Sequence, residues 1–403
     1  MKQLRFRTDD GSEFPDWEEK RLGDITKKVS RKDENSDADV RMISQGNGFI
    51  LQANKYSREN AGGSLKKYTL LKRDEFAYNH GASKAKPYGV CYRLCESDEA
   101  RVPYVYHTFK LVDGNVDYWN CALNTSYMDR QLKKLVSSGV RMDGLLNIKY
   151  DSYMSVEIHV PSLPEQQKIA DFLSTIDTVI EKQKATVEAW EERKKGVMQK
   201  LFSQEVRFKA DDGSAFPDWE EKKIESLGDI VGGGTPPTRE KKYWCGQTAW
   251  VSSADVMDND IYNINMTRFI THEAINNSAT KIIPQNSILI VSRVGVGKVA
   301  KAPCDLCTSQ DFTNIINPKG DPIFLSYAIL NLMKSKLQCV QGTSIKGIPS
   351  DEIRNYSLSF PCLAEQQKIA DCLSSLDDVI KKQKATLAVW EEMKKGLLQQ
   401  MFV

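Results

Sequence analysis

The sequence predicts an α+β protein: two pseudo-symmetric domains joined by two long antiparallel coiled-coil helices. The first observation behind this class is a pair of segments, 161–202 and 361–402, that are identical at about two-thirds of their positions. The second is a pair of dissimilar blocks, about 23–160 and 228–360, rich in short β-type runs and turn residues. Together they indicate one scaffold used twice with different inserted blocks.

A shorter repeat leads into each block. LRFRTDDGSEFPDWEEKRLGDI (4–25) returns as VRFKADDGSAFPDWEEKKIESLGDI (206–230), and aligning the two LGDI runs requires three inserted residues. A period near 200 residues fits two fused domains rather than a solenoid. The predicted division is a first domain with its lead at 1–160, a first helix at 161–203, a second domain with the repeated lead at 204–360, and a second helix at 361–403.

The two repeated tails carry the coiled-coil prediction. Their apolar residues recur in alternating steps of four and three, the pattern of two helices packed along a seam. The predicted seam residues are Ile169, Leu173, Ile176, Ile180, Gln183, Val187 and Trp190 in the first tail, and Ile369, Leu373, Leu376, Ile380, Gln383, Leu387 and Trp390 in the second. Lys194 and Lys394 interrupt the seam at equivalent positions.

The packing of the tails admits one alternative, which stays open. At 1.5 Å per residue each tail spans roughly 55 Å as a helix. A pseudo-two-fold relation between the units would make the helices antiparallel, with a block at each end. In the alternative, each helix packs separately on its own domain. The narrow apolar stripe favours pairing, because a globular helix needs a wider apolar face.

Composition excludes several classes of protein. Forty per cent hydrophobic and 27% charged residues are typical of a soluble protein, and no apolar run reaches the roughly 20 residues of a membrane span. The nine cysteines are scattered and odd in number, which favours a reducing, cytoplasmic setting. Since the net charge is only +2, binding to nucleic acid has to use local basic patches.

The two blocks retain faint correspondences beneath their divergence. LLKRDEFAYNHG (70–81) aligns with IIPQNSILIVSR (282–293), and VRMISQGN (40–47) resembles AWVSSADV (249–256). Basic residues gather near these runs, with polar residues of the types that read base edges beside them. The candidate DNA-binding residues are Gln45, Asn47, Lys66, Lys67, Asn79, His80, Lys84, Lys86, Arg141, Thr235, Ser252, Arg293, Lys298, Gln341, Thr343, Ser344 and Lys346.

Motifs for chemistry are missing from the sequence. VSRVGVGKV (291–299) has a Gly-Lys pair but not the spacing of a nucleotide-binding loop, and there is no glycine-rich turn paired with a methyltransferase active-site loop. CDLC (304–307) could begin a zinc site, but no second cysteine pair with suitable spacing follows. We therefore expect no catalytic residues, no metal and no cofactor in this chain.

The repeated EQQKIAD and W-EE-KKG tails, the W-EE-K leads, GGGTPPT (232–238) and GTSIKGI (342–348) resemble the specificity subunits of type I restriction–modification systems. The resemblance covers essentially the whole chain. It implies two target recognition domains that each read one part of a split, asymmetric site in double-stranded DNA, separated by the antiparallel helices.

The resemblance also implies partners. Two copies of an adenine methyltransferase subunit and a motor-nuclease subunit carry the catalysis, with S-adenosylmethionine, ATP and Mg²⁺ bound there and not here. Two other hypotheses stay open. A coiled-coil adaptor that binds only proteins would show no salt-dependent affinity for DNA. An enzyme with an unrecognised site would methylate or cleave DNA as the purified chain alone.

Overall fold

The computed structural model describes residues 3–32, 36–54, 62–81, 83, 86–136, 146–339 and 347–402. The chain forms two compact units: unit 1 is Met1–Lys184 with Ala385–Val403, and unit 2 is Ala185–Lys384. The boundaries between the units fall inside the two long helices. Each unit therefore contains one lead, one block, half of one long helix and half of the other.

Unit 1 has β-strands and helices in the order that the turn-rich block predicts. Its described strands are β1 (Glu18–Arg21), β2 (Thr26–Lys28), β3 (Arg41–Ser44), β4 (Gly48–Leu51), β5 (Thr69–Lys72), β6 (Phe76–Asn79), β7 (Val90–Arg93), β8 (Glu99–Val102), β9 (His107–Leu111) and β10 (Glu157–Val160). Its described helices are α1 (Val116–Ala122), α2 (Ser126–Leu135), α3 (Tyr150–Met154) and the first half of α4 (Leu163–Phe202).

The central sheet of unit 1 is antiparallel, in the order β2-β9-β6-β7. Alternate side chains of β6 point to opposite faces, so Phe76 and Tyr78 join a core with α1, α2 and α3, while Ala77 joins a second core. On the second face lie the β3-β4 hairpin and the β5-β8 pair, and one parallel bridge, Val40 to Arg101, connects them. Unit 1 is thus two sheet layers with helices outside the first.

Unit 2 repeats this plan. Its described strands are β11 (Glu220–Lys223), β12 (Asp229–Gly232), β13 (Thr248–Val251), β14 (Phe269–Ile270), β15 (Ile282–Ile283), β16 (Ile288–Val291), β17 (Val299–Lys301), β18 (Leu306–Thr308), β19 (Phe312–Ile316) and β20 (Ser357–Phe360). Its helices are the second half of α4, α5 (His272–Asn276), α6 (Pro322–Cys339), α7 (Ser350–Asn355) and the first half of α8 (Leu363–Met401).

The two sheets of unit 2 have the orders β12-β19-β16-β17 and β14-β13-β18-β15. Strands β13 and β18 are parallel and the other neighbours are antiparallel. All four residues of β16 are buried, which agrees with the continuous apolar run ILIV of a strand covered on both faces.

Inside each unit the two long helices run antiparallel. In unit 1 Asp177 of α4 pairs with Lys394 of α8, and Lys184, further along α4, lies near Glu391, earlier in α8. Unit 2 has the reciprocal pairs, Lys194 with Asp377 at 2.5 Å and Glu191 with Lys384 at 2.6 Å. The predicted fold class is confirmed, and the seam lysines are held by aspartates of the opposite helix. None of the helices in the described ranges could cross a membrane.

The predicted seam residues all lie away from open solvent. The fully buried ones are Ile169, Leu173, Ile176, Ile180, Val187, Ile369, Leu373 and Ile380, and the half-buried ones are Gln183, Trp190, Leu376, Gln383, Leu387 and Trp390. In unit 1 the seam joins the core that also holds Met401 and Phe402, so the helix ends are part of the globular core.

The first residues of the repeated EQQK run bind each lead to the start of its long helix. Glu165 is fully buried and accepts hydrogen bonds from Arg5 Nη2 at 2.8 Å and Trp17 Nε1 at 3.0 Å, both in the lead. Glu365 does the same with Arg207 at 2.8 Å and Trp219 at 2.9 Å.

The glutamine that follows this glutamate, Gln166 or Gln366, binds the backbone just before a helix of the block. Gln166 Oε1 accepts from Asn115 N at 2.9 Å and its Nε2 donates to Pro161 O, and Gln366 makes the equivalent bonds with Asp321 N and Pro361 O. A buried carboxylate and amide need such partners, which constrains all of these positions together.

The three-residue insertion inferred from the two LGDI runs is wrong in three dimensions. Leu22 N donates to Val156 O, and Ile224 N donates to Tyr356 O, both at 2.9 Å. Leu22 is therefore equivalent to Ile224, as β1 is to β11, without any gap. The LGDI run of the second copy lies at 227–230, three residues beyond the positions that are structurally equivalent to 22–25. The identity of these four residues is therefore not a guide to their structural equivalence.

Candidate nucleic-acid interface

One edge of each unit collects the loops that diverge most in sequence. In unit 2, β12, β13, β16 and β18 all end there and β19 begins there. The turn 309–311 lies between these strand ends: Ser309 N donates to Val251 O and Ser292 N donates to Asp311 O, both at 2.8 Å. Ile348, which follows the predicted residues 341–346, donates its N–H to Ser292 O at 2.7 Å.

The glycine run after β12 lies closely packed at this edge. A Cβ on Gly233 would lie 2.0 Å from Ser309 O, and one on Gly234 would lie 2.4 Å from the carbonyl carbon of Ala279. Gly234 O accepts from Trp250 Nε1 at 2.9 Å and from Thr280 Oγ1 at 2.6 Å. Only glycine fits this close approach of backbones, so GGGTPPT positions Thr235 rigidly.

The predicted polar residues of unit 2 are partly engaged with each other. Thr235 is hydrogen-bonded to Gln310, an exposed residue of the central turn that the sequence did not single out. Ser252 Oγ donates to Asp255 and accepts from Arg268 Nη2 at 2.6 Å, and the Arg268 guanidinium lies 4.6 Å from the Trp250 ring centroid. Gln310 and Arg268 were missed because their loops carry no motif.

Arg293 is an available cation of this edge. It is exposed, and the next residue, Val294, has φ of 25° with 73% of its surface exposed. A positive φ at a β-branched residue is strained, and such strain concentrates at functional loops. By contrast Lys298 is half-buried and donates to Val256 O at 3.0 Å.

In unit 1, β2, β3, β6 and β8 end at the equivalent edge. Gln45 and Asn47 are exposed in the turn after β3, and Gln45 Oε1 accepts from Ser83 Oγ at 2.6 Å, which joins this turn to the loop after β6. Lys66 and Lys67 are exposed at the end of the 3-10 turn Gly62–Lys67.

The loop after β6 is less available than predicted. Asn79 accepts from Gly81 N at 3.0 Å, and Lys86 Nζ donates to Asn124 O at 3.0 Å. His80 is a wrong prediction: it is 6% exposed, and its ring nitrogens lie 2.7 Å from Leu146 O and 2.9 Å from Val105 O. The ring is part of the structure beneath the edge and does not face a ligand.

Six other candidate positions lie outside the described residues: Lys84, Arg141, Gln341, Thr343, Ser344 and Lys346.

The CDLC run (304–307) lies within the described residues. Cys307 is buried in β18, and burial raises the pKa of its thiol to about 12, so it is protonated and a poor metal ligand. Among the described residues no group of three histidine, cysteine or acidic side chains could hold a metal ion.

Comparison with known families places the chain. Residues 110–189 and 217–388, more than half of the chain, match the model of the type I restriction modification DNA specificity domain. The chain belongs to this family.

The specificity-domain relatives agree in sequence and fold. The chain is 33% identical over 210 residues to the type I restriction enzyme MjaIX specificity subunit of Methanocaldococcus jannaschii, a match covering 50% of this chain and 48% of that one. The aligned region spans about half the length of the curated relatives that it matches.

Two solved structures share the architecture at low sequence identity. The type I restriction-modification S subunit from M. genitalium aligns with a TM-score of 0.53 and 14% identity over 100% of this chain and 99% of that one. A chain from a study of assembly and conformational transition of a type I R-M system aligns with a TM-score of 0.58 and 15% identity over 97% and 98%. At such identities the likeness concerns the fold alone.

Proposed function

We propose that this chain is the sequence-specific DNA-binding subunit of a type I restriction–modification complex, and that it reads a bipartite, asymmetric site in double-stranded DNA. One observation carries the proposal. The two units have the same sheet order and the same buried anchor, yet the loops at the equivalent edge have different sequences and chemistry. A shared scaffold with two different edges fits two half-sites of different sequence.

The repeated tails support two copies of one partner. Gln167, Asp171 and Glu192 are exposed, and Gln367, Asp371 and Glu392 are exposed at the equivalent positions with the same identity. Core packing does not require identity at exposed positions, whereas recognition by the same protein does. We assign these surfaces to two adenine methyltransferase subunits, with a motor-nuclease subunit completing the restriction enzyme.

Catalysis belongs to those partners in this proposal. S-adenosylmethionine, ATP and Mg²⁺ are bound by them, and this chain supplies recognition and spacing without chemistry of its own. Eight of the nine cysteines, those whose side chains the structure describes, are free thiols, which supports a reducing, cytoplasmic setting.

The decisive experiment exchanges one edge. The chain is co-expressed with its methyltransferase partner, and methylated adenines are mapped by sequencing the host DNA. Replacing 228–360 with the block of a relative should change one half of the methylated motif and leave the other half intact. If both halves change together, the units do not read independently and the proposal fails.

A second experiment separates this proposal from its alternatives. The purified chain, incubated with duplex DNA and labelled S-adenosylmethionine, should bind DNA with affinity that falls steeply as salt rises and should transfer no methyl group. Failure of the purified chain to bind DNA with a salt-dependent affinity would favour the coiled-coil adaptor, and methyl transfer by the chain alone would favour an enzyme.

A further inference from the structure

A groove opens at the edge of unit 1, next to the loops after β3 and β6. Its volume is about 360 Å³. Strand pairing explains its position: Lys28, at the end of β2, pairs with Phe109 of β9, and Tyr78, near the end of β6, pairs with His107 at the start of β9. Its described lining includes Lys28, Lys32, Lys67, Tyr104, His107 and Tyr150.

The lining has the chemistry of an anion site. It includes three lysines, all exposed, and no acidic side chain among its described residues. Lys28 Nζ lies 4.7 Å from the Tyr150 ring centroid, which positions the ammonium group by a cation–π contact. Tyr104 is 55% exposed at the rim, where an aromatic ring can pack against a sugar.

The equivalent place in unit 2 has the opposite character. Phe76 and Phe109 pair in unit 1 as Ile288 and Ile315 pair in unit 2, so Lys28, opposite Phe109, is equivalent to Ile230. Counting onward, SRK (30–32) occupies the place of GGG (232–234). Unit 2 packs backbone tightly around Gly233 and Gly234, the equivalents of Arg31 and Lys32, whereas unit 1 keeps this place open and positively charged.

We propose that this groove binds the phosphate backbone of double-stranded DNA beside the bases that unit 1 reads. The inference rests on the proposed function, since it assigns a backbone contact to the recognition edge. Lysine ammonium groups bind phosphates as point charges and carry no sequence information. Unit 1 therefore contributes more of the salt-dependent affinity through this region of the fold than unit 2 does.

A run of basic residues, KKVSRK (27–32), signals this groove in the sequence, although none of its residues is among the candidate DNA-binding residues. The run contains four cations within six residues, and of these only Lys28 and Lys32 line the groove. Arg31 instead pairs with Glu75, which is 6% exposed, at 3.0 Å. Lys27 lies on the other side of the strand, opposite Lys110, because side chains alternate along β2.

The test uses the full-length chain and a fluorescent 40-base-pair duplex of mixed sequence, with anisotropy measured at several NaCl concentrations. The variant Lys28→Ala/Lys32→Ala is compared with Lys27→Ala/Lys110→Ala, which removes the same charge from the other face of the same strand pair. Removing one lysine–phosphate pair makes the slope of log K against log salt shallower by about 0.9, so the slope of the groove variant should fall by roughly 2.

At 0.1 M salt this corresponds to about an eightfold weaker affinity for each lysine–phosphate pair, with the same factor on every duplex sequence. The control variant should keep the wild-type slope. Lys28→Arg/Lys32→Arg retains both charges and should keep it as well, which guards against an effect of misfolding. Equal weakening of DNA affinity in the groove and control variants, or no weakening in either, would overturn the inference. Salt-dependent DNA binding by the wild-type chain would still uphold the proposed function in that case. A wild-type chain without salt-dependent binding would overturn both.

Discussion

Units 1 and 2 build the same sheets with different degrees of continuity. In unit 2, β13 and β18 pair in parallel through three residue pairs, which makes one four-stranded sheet. Among the described residues of unit 1 the equivalent connection is one bridge, Val40 with Arg101, and the layer is divided into two pairs of strands. The difference teaches that the two units can share a strand order although unit 1 has fewer hydrogen-bonded residue pairs between the equivalent strands.

What the units keep in common is backbone geometry and one buried anchor. Asp74 and Asn286 occupy the same turn with φ of 68° and 67°, as the alignment of 70–81 with 282–293 predicts. Asn and Asp are the non-glycine residues that best tolerate this conformation. The Glu165 and Glu365 anchors match within 0.1 Å in their bonds to the lead. The differences between the units are concentrated at the edge.

The largest expected effect tests whether the two anchors act separately. Glu165→Gln removes a buried charge and takes from Arg5 its nearer ionic partner, leaving the exposed Asp16 at 3.4 Å. Because the Arg5 side chain is itself 25% exposed, we expect a cost of about 3 kcal/mol, the lower end of the range for a buried pair. Hydrogen exchange with mass spectrometry should show faster exchange in the lead of unit 1 (3–20) and not in that of unit 2 (206–222). Glu365→Gln should show the reverse.

The controls are Glu181→Gln and Glu192→Gln, which remove exposed carboxylates from α4 in unit 1 and unit 2 and should stay within about 0.5 kcal/mol of wild type. Loosening of both leads by either anchor variant would contradict separate anchors.

A smaller effect separates the two edges. Gly234→Ala forces a methyl group against the backbone of Ala279 and should destabilise unit 2 by about 1–3 kcal/mol. Lys32→Ala, at the equivalent place of unit 1, removes an exposed side chain and should leave stability within about 0.5 kcal/mol. Denaturant unfolding of the two variants measures both changes, and equal losses of stability would show that the edges are packed alike.

The two lysine–aspartate pairs of the helix seam should also differ in how much they stabilise their units. Lys194 and Asp377 have side chains 8% and 20% exposed, and Tyr327 OH also donates to Asp377, whereas Lys394 and Asp177 are 27% and 46% exposed. Double-mutant cycles with alanine should give about 1–2 kcal/mol of coupling for the first pair, less than for a fully buried one. The second should give less than about 1 kcal/mol, as surface pairs do. A reversed order would contradict the role of burial.

The smallest effect depends on pH and concerns unit 1 alone. Burial lowers the pKa of His107 below 6.5, and the neighbouring His80 and then Lys28 add to the lowering, although a hydrogen bond to Ile148 O opposes it. The unfolded chain therefore binds the proton more readily, so this stabilisation is present above pH 6.5 and is lost as pH falls through the folded-state pKa.

Strand pairing places Thr313 of unit 2 at the position of His107. His107→Thr should accordingly flatten the decline in unfolding free energy below pH 6.5, a change bounded by about 1.4 kcal/mol for each unit of pKa difference. An unchanged pH profile of denaturant unfolding in this variant would show that other groups cause the decline.

Prediction from the sequence succeeded where the signal is periodic or repeated. The four-three spacing of Ile169 and Leu173 with their counterparts reports which side of a helix is buried, because side-chain direction along a helix follows from local geometry alone. The repeat at an offset of 200 likewise indicates two units without any knowledge of their packing.

The failures share one cause. His80 was predicted to face DNA, yet it is buried, since its surroundings come from Val105 and Leu146, which are distant in the chain. The insertion before LGDI was inferred from identity, yet Leu22 and Ile224 are equivalent by their hydrogen bonds to β10 and β20 neighbours. Neither fact is visible in a local run of letters.

By itself the sequence determined that this chain has two units, that each repeat ends in a long helix, and that the leads and tails are used twice. Only the tertiary structure decided which loops meet at one edge, that SRK and GGG occupy the same place, and that Lys28 and Lys32 face one groove while Lys27 and Arg31 do not. The physical reason is that helix periodicity is a property of neighbouring residues. Strand register and burial, in contrast, are fixed by hydrogen bonds and packing between residues far apart in the chain.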